Sequence, residues 1–158
     1  MNTKIVKIEN LVEIIKNLKS EGKTIVTTNG TYDIVHAGHI FSLQESKSLG
    51  DVLIVGLNSD SSVKKYKSIK RPIISEIYRA EVIAALECVD YVFIFDEINP
   101  ITFINLLKPD IHTNSSDYGN NCVEKDAVIS NGGKVHLLKK YNGISTTEII
   151  NKIVQINK

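Results

Sequence analysis

Five short apolar runs alternate with helical patterns along the chain, and this alternation restricts the fold more than any other feature. The runs are TIVTT (24–28), VLIVGLN (52–58), YVFIF (91–95), the weaker DIHTN (110–114) and KVHLL (134–138). They are largely continuous and β-branched, not alternating apolar with polar, as strands covered on both faces are. Leu11, Ile14, Ile15 and Leu18 recur at helical spacing, with Asn10 and Glu13 in a capping-box pattern and Gly22 placed to end the helix. Further helices are predicted from about Gly38 to Leu49, after Ser75, after Asn99-Pro100, near 122–130 and from Ser145. The polar, basic stretch 59–74, which holds Pro72, predicts a long functional loop. Strand–helix alternation of this kind predicts an α/β fold: a doubly wound five-stranded parallel sheet with helices on both faces, in a single domain. Ligands of such sheets bind beyond the carboxyl ends of the strands, where the strand order reverses. Chemistry is therefore sought just after each strand.

The chain has 158 residues, enough for one domain to bury roughly 70% of its unfolded surface without a disulfide or structural metal. A net charge of +1 provides no field for nucleic acid or an acidic membrane surface. The local basic run KKYKSIKR (64–71) reads equally as a solvated loop or a ligand-facing one. Cys88 and Cys122 lie far apart, outside any C-x-x-C pattern, as reduced thiols do. No window approaches about 18 apolar residues, and MNTKIVKIEN lacks the apolar core of a signal peptide. The expectation is a cytoplasmic protein with no nucleic-acid or membrane partner.

After the first run comes TNGTYDIVHAGH (28–39). Gly30 allows the backbone to turn and approach a ligand, and Asp33 can fix the loop by bonding nearby backbone. His36 and His39 share one face if their turn is helical, and free N–H groups at a helix start favour an anion. Taken alone, the pair admits zinc, a structural role or phosphate. Zinc wants three or four ligands and H-x-x-H supplies two. Neither G-x-x-x-x-G-K-[ST] nor G-x-G-x-x-G occurs. After the fifth run, NGISTTEII (142–150) offers a cap at Ser145 with Glu148 three residues on. A cap needs one hydroxyl, yet Ser145, Thr146 and Thr147 stand together behind Gly143. Two anion sites facing one crevice point to a polyphosphate.

GTYDIVHAGH together with GISTTEII resembles the H-x-G-H nucleotidyltransferases, small Rossmann-like cytidylyltransferases and adenylyltransferases, over about Thr24 to Ile153. Within that superfamily, LGDVLIVGLNSDSSVKKYKSIKRPI, RAEVIAALECVDYVFIFDE and LKPDIHTNSSDY are most similar to D-glycero-β-D-manno-heptose 1-phosphate adenylyltransferases. The resemblance implies a nucleotidyltransferase domain over 23–158, with 1–22 as an N-terminal helical extension. It implies transfer of a nucleoside monophosphate from a nucleoside triphosphate, ATP foremost, to a small phosphorylated sugar or polyol. Pyrophosphate leaves, and the product serves surface-glycan synthesis. CTP with glycerol 3-phosphate and a non-catalytic nucleotide-binding module are the alternatives. Mg²⁺ is expected on the nucleotide phosphates with no metal site of the protein's own. A homodimer using the N-terminal helix is left open.

By the same resemblance His36, His39 and Lys64 are the catalytic candidates, the histidines holding the α-phosphate side. Gly30, Thr31, Tyr32, Gly38, Asp117, Gly143, Ser145, Thr146 and Thr147 fall to the nucleotide. Asp33, Lys67, Arg79, Asn114 and Tyr118 fall to the substrate. The heptose enzymes tend to carry Lys-Gly-Gly-Asp-Tyr where this chain has Asn114-Ser115-Ser116-Asp117-Tyr118. Glycerol-3-phosphate cytidylyltransferases tend to carry Arg-Thr-Glu before Gly-Ile-Ser-Thr-Thr, where this chain has Lys140-Tyr141-Asn142.

Overall fold

Strands β1 (Ile25–Gly30), β2 (Val52–Asn58), β3 (Tyr91–Phe95), β4 (Ile111–Ser115) and β5 (Lys134–Leu138) form one all-parallel sheet in the computed structural model, which describes residues 2–116, 122–141 and 143–157. Their order is β3-β2-β1-β4-β5. Ile25 lies opposite Val52, Val26 opposite Ile111, Ile54 opposite Tyr91 and Ile111 opposite Lys134. The chain winds outward from β1 to β3, then crosses back to lay β4 on the other side of β1. The order reverses between β1 and β4, which opens a crevice above their carboxyl ends.

Successive strand residues point to opposite faces, and the core splits accordingly. Val26, Leu53, Val55, Leu57 and Val92 pack with Leu43 of α2 (Ala37–Lys47) and with Ala80, Ile83 and Ala84 of α4 (Glu76–Ala84). Ile25, Ile54, Phe93 and Phe95 pack on the other face. There they meet Leu11 and Ile15 of α1 (Ile8–Ser20), Phe103, Ile104 and Leu107 of α5 (Ile101–Leu107) and Val128 of α6 (Lys125–Ser130). The doubly wound prediction is met on both faces. Residues ahead of β1 take part in this packing, and Ile5 also bridges Val92 at the sheet edge.

Two local expectations are corrected. The first helix starts at Ile8 with Lys7 as its N-cap, ahead of the Asn10 signal, because Leu11 must reach the core from within an established turn. The stretch 59–74 is not all loop: Asp60–Tyr66 is a helix, α3. Ser59 caps it by accepting from Ser62 N–H at 3.1 Å, and Val63 is fully buried beneath it. Helix α7 (Thr146–Ile156) begins at the Ser145 cap as expected.

Candidate active site

The turn after β1 bends at Tyr32, whose φ is +48°, and not at Gly30. Gly30 is needed for a different reason: a Cβ there would lie 2.9 Å from the Tyr32 ring. Tyr32 folds back into the core, where burial holds its phenol at about 12 despite a hydrogen bond with Thr28. Its ring backs His39, with centroids 5.2 Å apart. Asp33 is buried and fully engaged, accepting from Arg71 Nε at 2.6 Å and from the N–H groups of Ile73 and Ile74 at 2.8 and 2.9 Å. Both oxygens clamp the 71–74 segment, the loop-fixing use that the sequence offered for this aspartate.

His36 is the N-cap of α2 and His39 lies in its first turn, with ring centroids 3.9 Å apart. The His36 N–H donates to His39 Nδ1 at 3.3 Å. An accepting Nδ1 leaves the proton on Nε2, so neutral His39 presents a donor. Burial pushes His39 down to about 4, with the charges of His36 and Lys67 acting the same way. Burial also lowers His36, opposed by Glu148. His36 Nδ1 is a buried atom without a hydrogen-bond partner among the described residues. Gly38 suits this packing: a Cβ there would lie 3.0 Å from the His36 ring, which would have to shift by a few tenths of an ångström.

The two motifs after β1 and β5, more than a hundred residues apart in sequence, meet here. Thr146 Oγ1 donates to the Ile34 carbonyl at 3.4 Å, tying the start of α7 to the histidine turn. Tyr141 would lie 3.5 Å from a Cβ on Gly38 and stacks on Phe41 with centroids 4.5 Å apart. Gly143 takes φ +138°, open to glycine at little cost, to bring the chain round. Ser145 Oγ accepts from the Glu148 N–H at 3.2 Å, so the capping reading is correct, and its own O–H remains to donate. Thr147 is exposed in the first turn of α7.

The basic candidates separate. The cation acting on His39 is Lys67, which follows α3, whereas Lys64 lies on α3 itself; both residues are exposed. Partial desolvation holds the Lys67 ammonium below the ordinary lysine range, with Arg71 and Arg79 adding to the shift and Asp33 opposing it. Arg79 does not face the crevice. It is 1% exposed and donates to the carbonyls of Thr31 (2.5 Å), Ile74 (2.8 Å) and Asn58 (2.9 Å) and to Asp60 Oδ1 (2.7 Å). It ties together the segments after β1 and β2. Asn114, at the end of β4, donates to the buried Glu124 and accepts from Ser115 N–H at 2.7 Å. Asp117 and Tyr118 lie outside the described residues. The sequence reading missed Tyr66, whose hydroxyl bonds that of Thr31, and the Phe41–Tyr141 stack. Ser59 before Val63 was the available signal for the first.

The family model for cytidylyltransferase-like proteins matches residues 27–152. The bifunctional protein HldE of Geobacter metallireducens is 48% identical over 155 residues, covering 98% of this chain and 32% of that protein. The bifunctional protein HldE of Campylobacter jejuni subsp. doylei is 50% identical over 147 residues, covering 93% of this chain and 31% of that protein. The chain thus spans well under half the length of the curated relatives it matches. Among solved structures, a lipopolysaccharide core biosynthesis protein from Thermoplasma volcanium superposes with a TM-score of 0.66 at 32% identity, over 77% of this chain and 100% of that one. Pantoate-beta-alanine ligase from Francisella tularensis shares the fold at 18% identity, with a TM-score of 0.64 over 98% of this chain and 79% of that one.

Proposed function

The chain belongs to the cytidylyltransferase-like family of nucleotidyltransferases, and from that premise we propose that it transfers an adenylyl group from ATP to D-glycero-β-D-manno-heptose 1-phosphate. A phosphate oxygen of the acceptor attacks the α-phosphorus, the bond to the β-phosphate oxygen breaks, and pyrophosphate leaves with that electron pair. The observation carrying this reading is the junction of two helix starts at one crevice. The turn of His36 and His39 and the first turn of α7 meet through Thr146 and Ile34. Two such termini within one cleft match the two ends of a triphosphate.

The attacking oxygen is already anionic, so the protein's work is to align the reactants and stabilise charge on the phosphoryl oxygens. His39 donates from Nε2 to the α-phosphate side, and His36 lines the same turn. The O–H groups of Ser145 and Thr147 and the first-turn N–H groups of α7 serve the outer phosphates. Thr146, whose hydroxyl is given to Ile34, joins the two segments. Lys67 offsets charge on the acceptor phosphate or on the departing pyrophosphate. Imidazole, hydroxyl and ammonium donors suit phosphate oxygens more than a bare cation, so Mg²⁺ belongs on the triphosphate, where it neutralises charge. The acceptor assignment rests on the likeness of the 49–73, 79–97 and 107–118 segments to heptose 1-phosphate adenylyltransferases. The relative described as a lipopolysaccharide core biosynthesis protein supports the same surface-glycan setting. The cytoplasm is the compartment proposed for this reaction.

The test is pyrophosphate release from each of four nucleoside triphosphates against heptose 1-phosphate and glycerol 3-phosphate. Release with ATP and the heptose is expected. Release with CTP and glycerol 3-phosphate alone would replace both substrates. Binding without release in every combination would make the chain a nucleotide-binding module.

A further inference from the structure

Helix α3 is bolted down at its start. Ser59 caps it, Glu76 Oε2 accepts from the Asp60 N–H at 2.6 Å, and Asp60 Oδ1 accepts from Arg79 at 2.7 Å. Its other end is held by Tyr66, which is 39% exposed while its hydroxyl reaches the buried Thr31 Oγ1. The next residue is Lys67, with Nζ 5.6 Å from the centre of the Tyr66 ring. Thr31 itself is a junction. Its carbonyl takes Arg79, and its neighbour Tyr32 packs against His39. A hydroxyl–hydroxyl bond thus links the end of α3 to the turn that carries the histidines.

We propose that Tyr66, through its bond to Thr31, is a positioning residue that fixes the end of α3 and sets Lys67 against His39. Its kinetic consequence rests on the nucleotidyltransferase reading; its geometric consequence does not. The charged neighbours that share this pocket are Arg71, Arg79 and Asp33 around Lys67, His36 beside His39, and Glu148 beside His36.

The experiment is an NMR titration of His39 in the full chain, in wild type, Tyr66→Phe, Lys67→Met and the double variant. Tyr66→Phe keeps the ring and removes only the hydroxyl. Lys67→Met is expected to raise the His39 pKa by removing a nearby cation. Tyr66→Phe is expected to raise it in the same direction, and the double variant to match Lys67→Met alone, since the two act in series. Thr31→Val, which removes the other hydroxyl, should reproduce the Tyr66→Phe result. In steady-state kinetics Tyr66→Phe should raise the acceptor KM by about three- to tenfold, the worth of one hydrogen bond, with the nucleotide KM unchanged. An unmoved His39 titration in Tyr66→Phe, or a double variant that sums the two effects, overturns the proposal. If wild type released no pyrophosphate, the functional reading would fall and the titration would still decide the role of Tyr66.

Discussion

Replacing Arg79 by lysine keeps the charge and removes the fork. The guanidinium makes four bonds, three to backbone carbonyls of Thr31, Asn58 and Ile74 and one to Asp60. An ammonium at that point can keep one or two of them. The Asp60 side of the ion pair is 30% exposed, so water compensates part of that loss. The carbonyls of Thr31 and Asn58 lose their charged donor in a buried setting, at about 1–3 kcal/mol each. The expected destabilisation is about 3–5 kcal/mol, in the range for breaking a buried charge network and a large part of a domain's usual 5–15 kcal/mol. Urea denaturation of wild type and Arg79→Lys measures it directly, and an unchanged m-value would show that the same surface is exposed. A loss under about 1 kcal/mol, together with a raised acceptor KM, would refute the reasoning. It would place the guanidinium on substrate, as the resemblance alone implied.

The two lysine candidates should separate in kinetics. Lys67→Ala is expected to cost about 10-fold or more in acceptor kcat/KM, the loss of a charge-assisted bond, whereas Lys64→Ala, on the exposed face of α3, stays within about twofold. Equal losses would return both to a general electrostatic role. Stability should also fall on acidification through the window set by His112. This residue is fully buried, held at about 3 by burial, with Nδ1 on Thr27 Oγ1 at 2.8 Å and Nε2 3.7 Å from Glu124. Its folded pKa lies below the unfolded value near 6.5, so the unfolded chain binds the extra proton between those values. Stability is then full above about 6.5 and declines below it, by up to about 1.4 kcal/mol per pH unit from this group. His112→Gln should flatten that slope between pH 6.5 and 4.5, measured by thermal melts; an identical slope would assign it to other groups.

Legibility in the sequence followed the range of the interactions. Runs 52–58, 91–95 and 134–138 became β2, β3 and β5 because continuous apolar β-branched stretches have one stable home in a sheet covered on both faces. Helix α3 was hidden because seven residues carry too few turns to show a period, and its polar face outnumbers Val63. The histidines and the Ser145 cap were readable since their partners lie within three residues. The loop-fixing use of Asp33 was legible, though its partners at 71–74 were not; for Arg79, whose partners sit at 31, 58, 60 and 74, nothing local distinguishes a clamp from a ligand. The bend at Tyr32 was likewise hidden, because its positive φ is held by burial of its ring and not by residue type.

His39 illustrates why this site uses a neutral donor beside a lysine. Burial, His36 and Lys67 together keep it at about 4, so near neutral pH its Nδ1 accepts from His36 and its Nε2 carries the proton. A bound triphosphate brings negative charge that raises this pKa, and the low starting value keeps the ring neutral through a rise of one or two units. In the proposed reaction, whose nucleophile is already ionised, the ring serves as a fixed donor dipole and gives up no proton. His39→Ala should lower kcat by about 10²–10³ with the far-ultraviolet spectrum unchanged, the cost of removing one preorganised oxyanion donor. The acid limb of kcat/KM, which reports free-enzyme groups, should show nothing from His39 until about pH 4. The acceptor phosphate itself titrates near 6, so a limb there that persists in His39→Gln belongs to substrate. A limb near 6.5 that vanishes in His39→Gln would mean that an ordinary histidine is being protonated, and the neutral-donor account would fail.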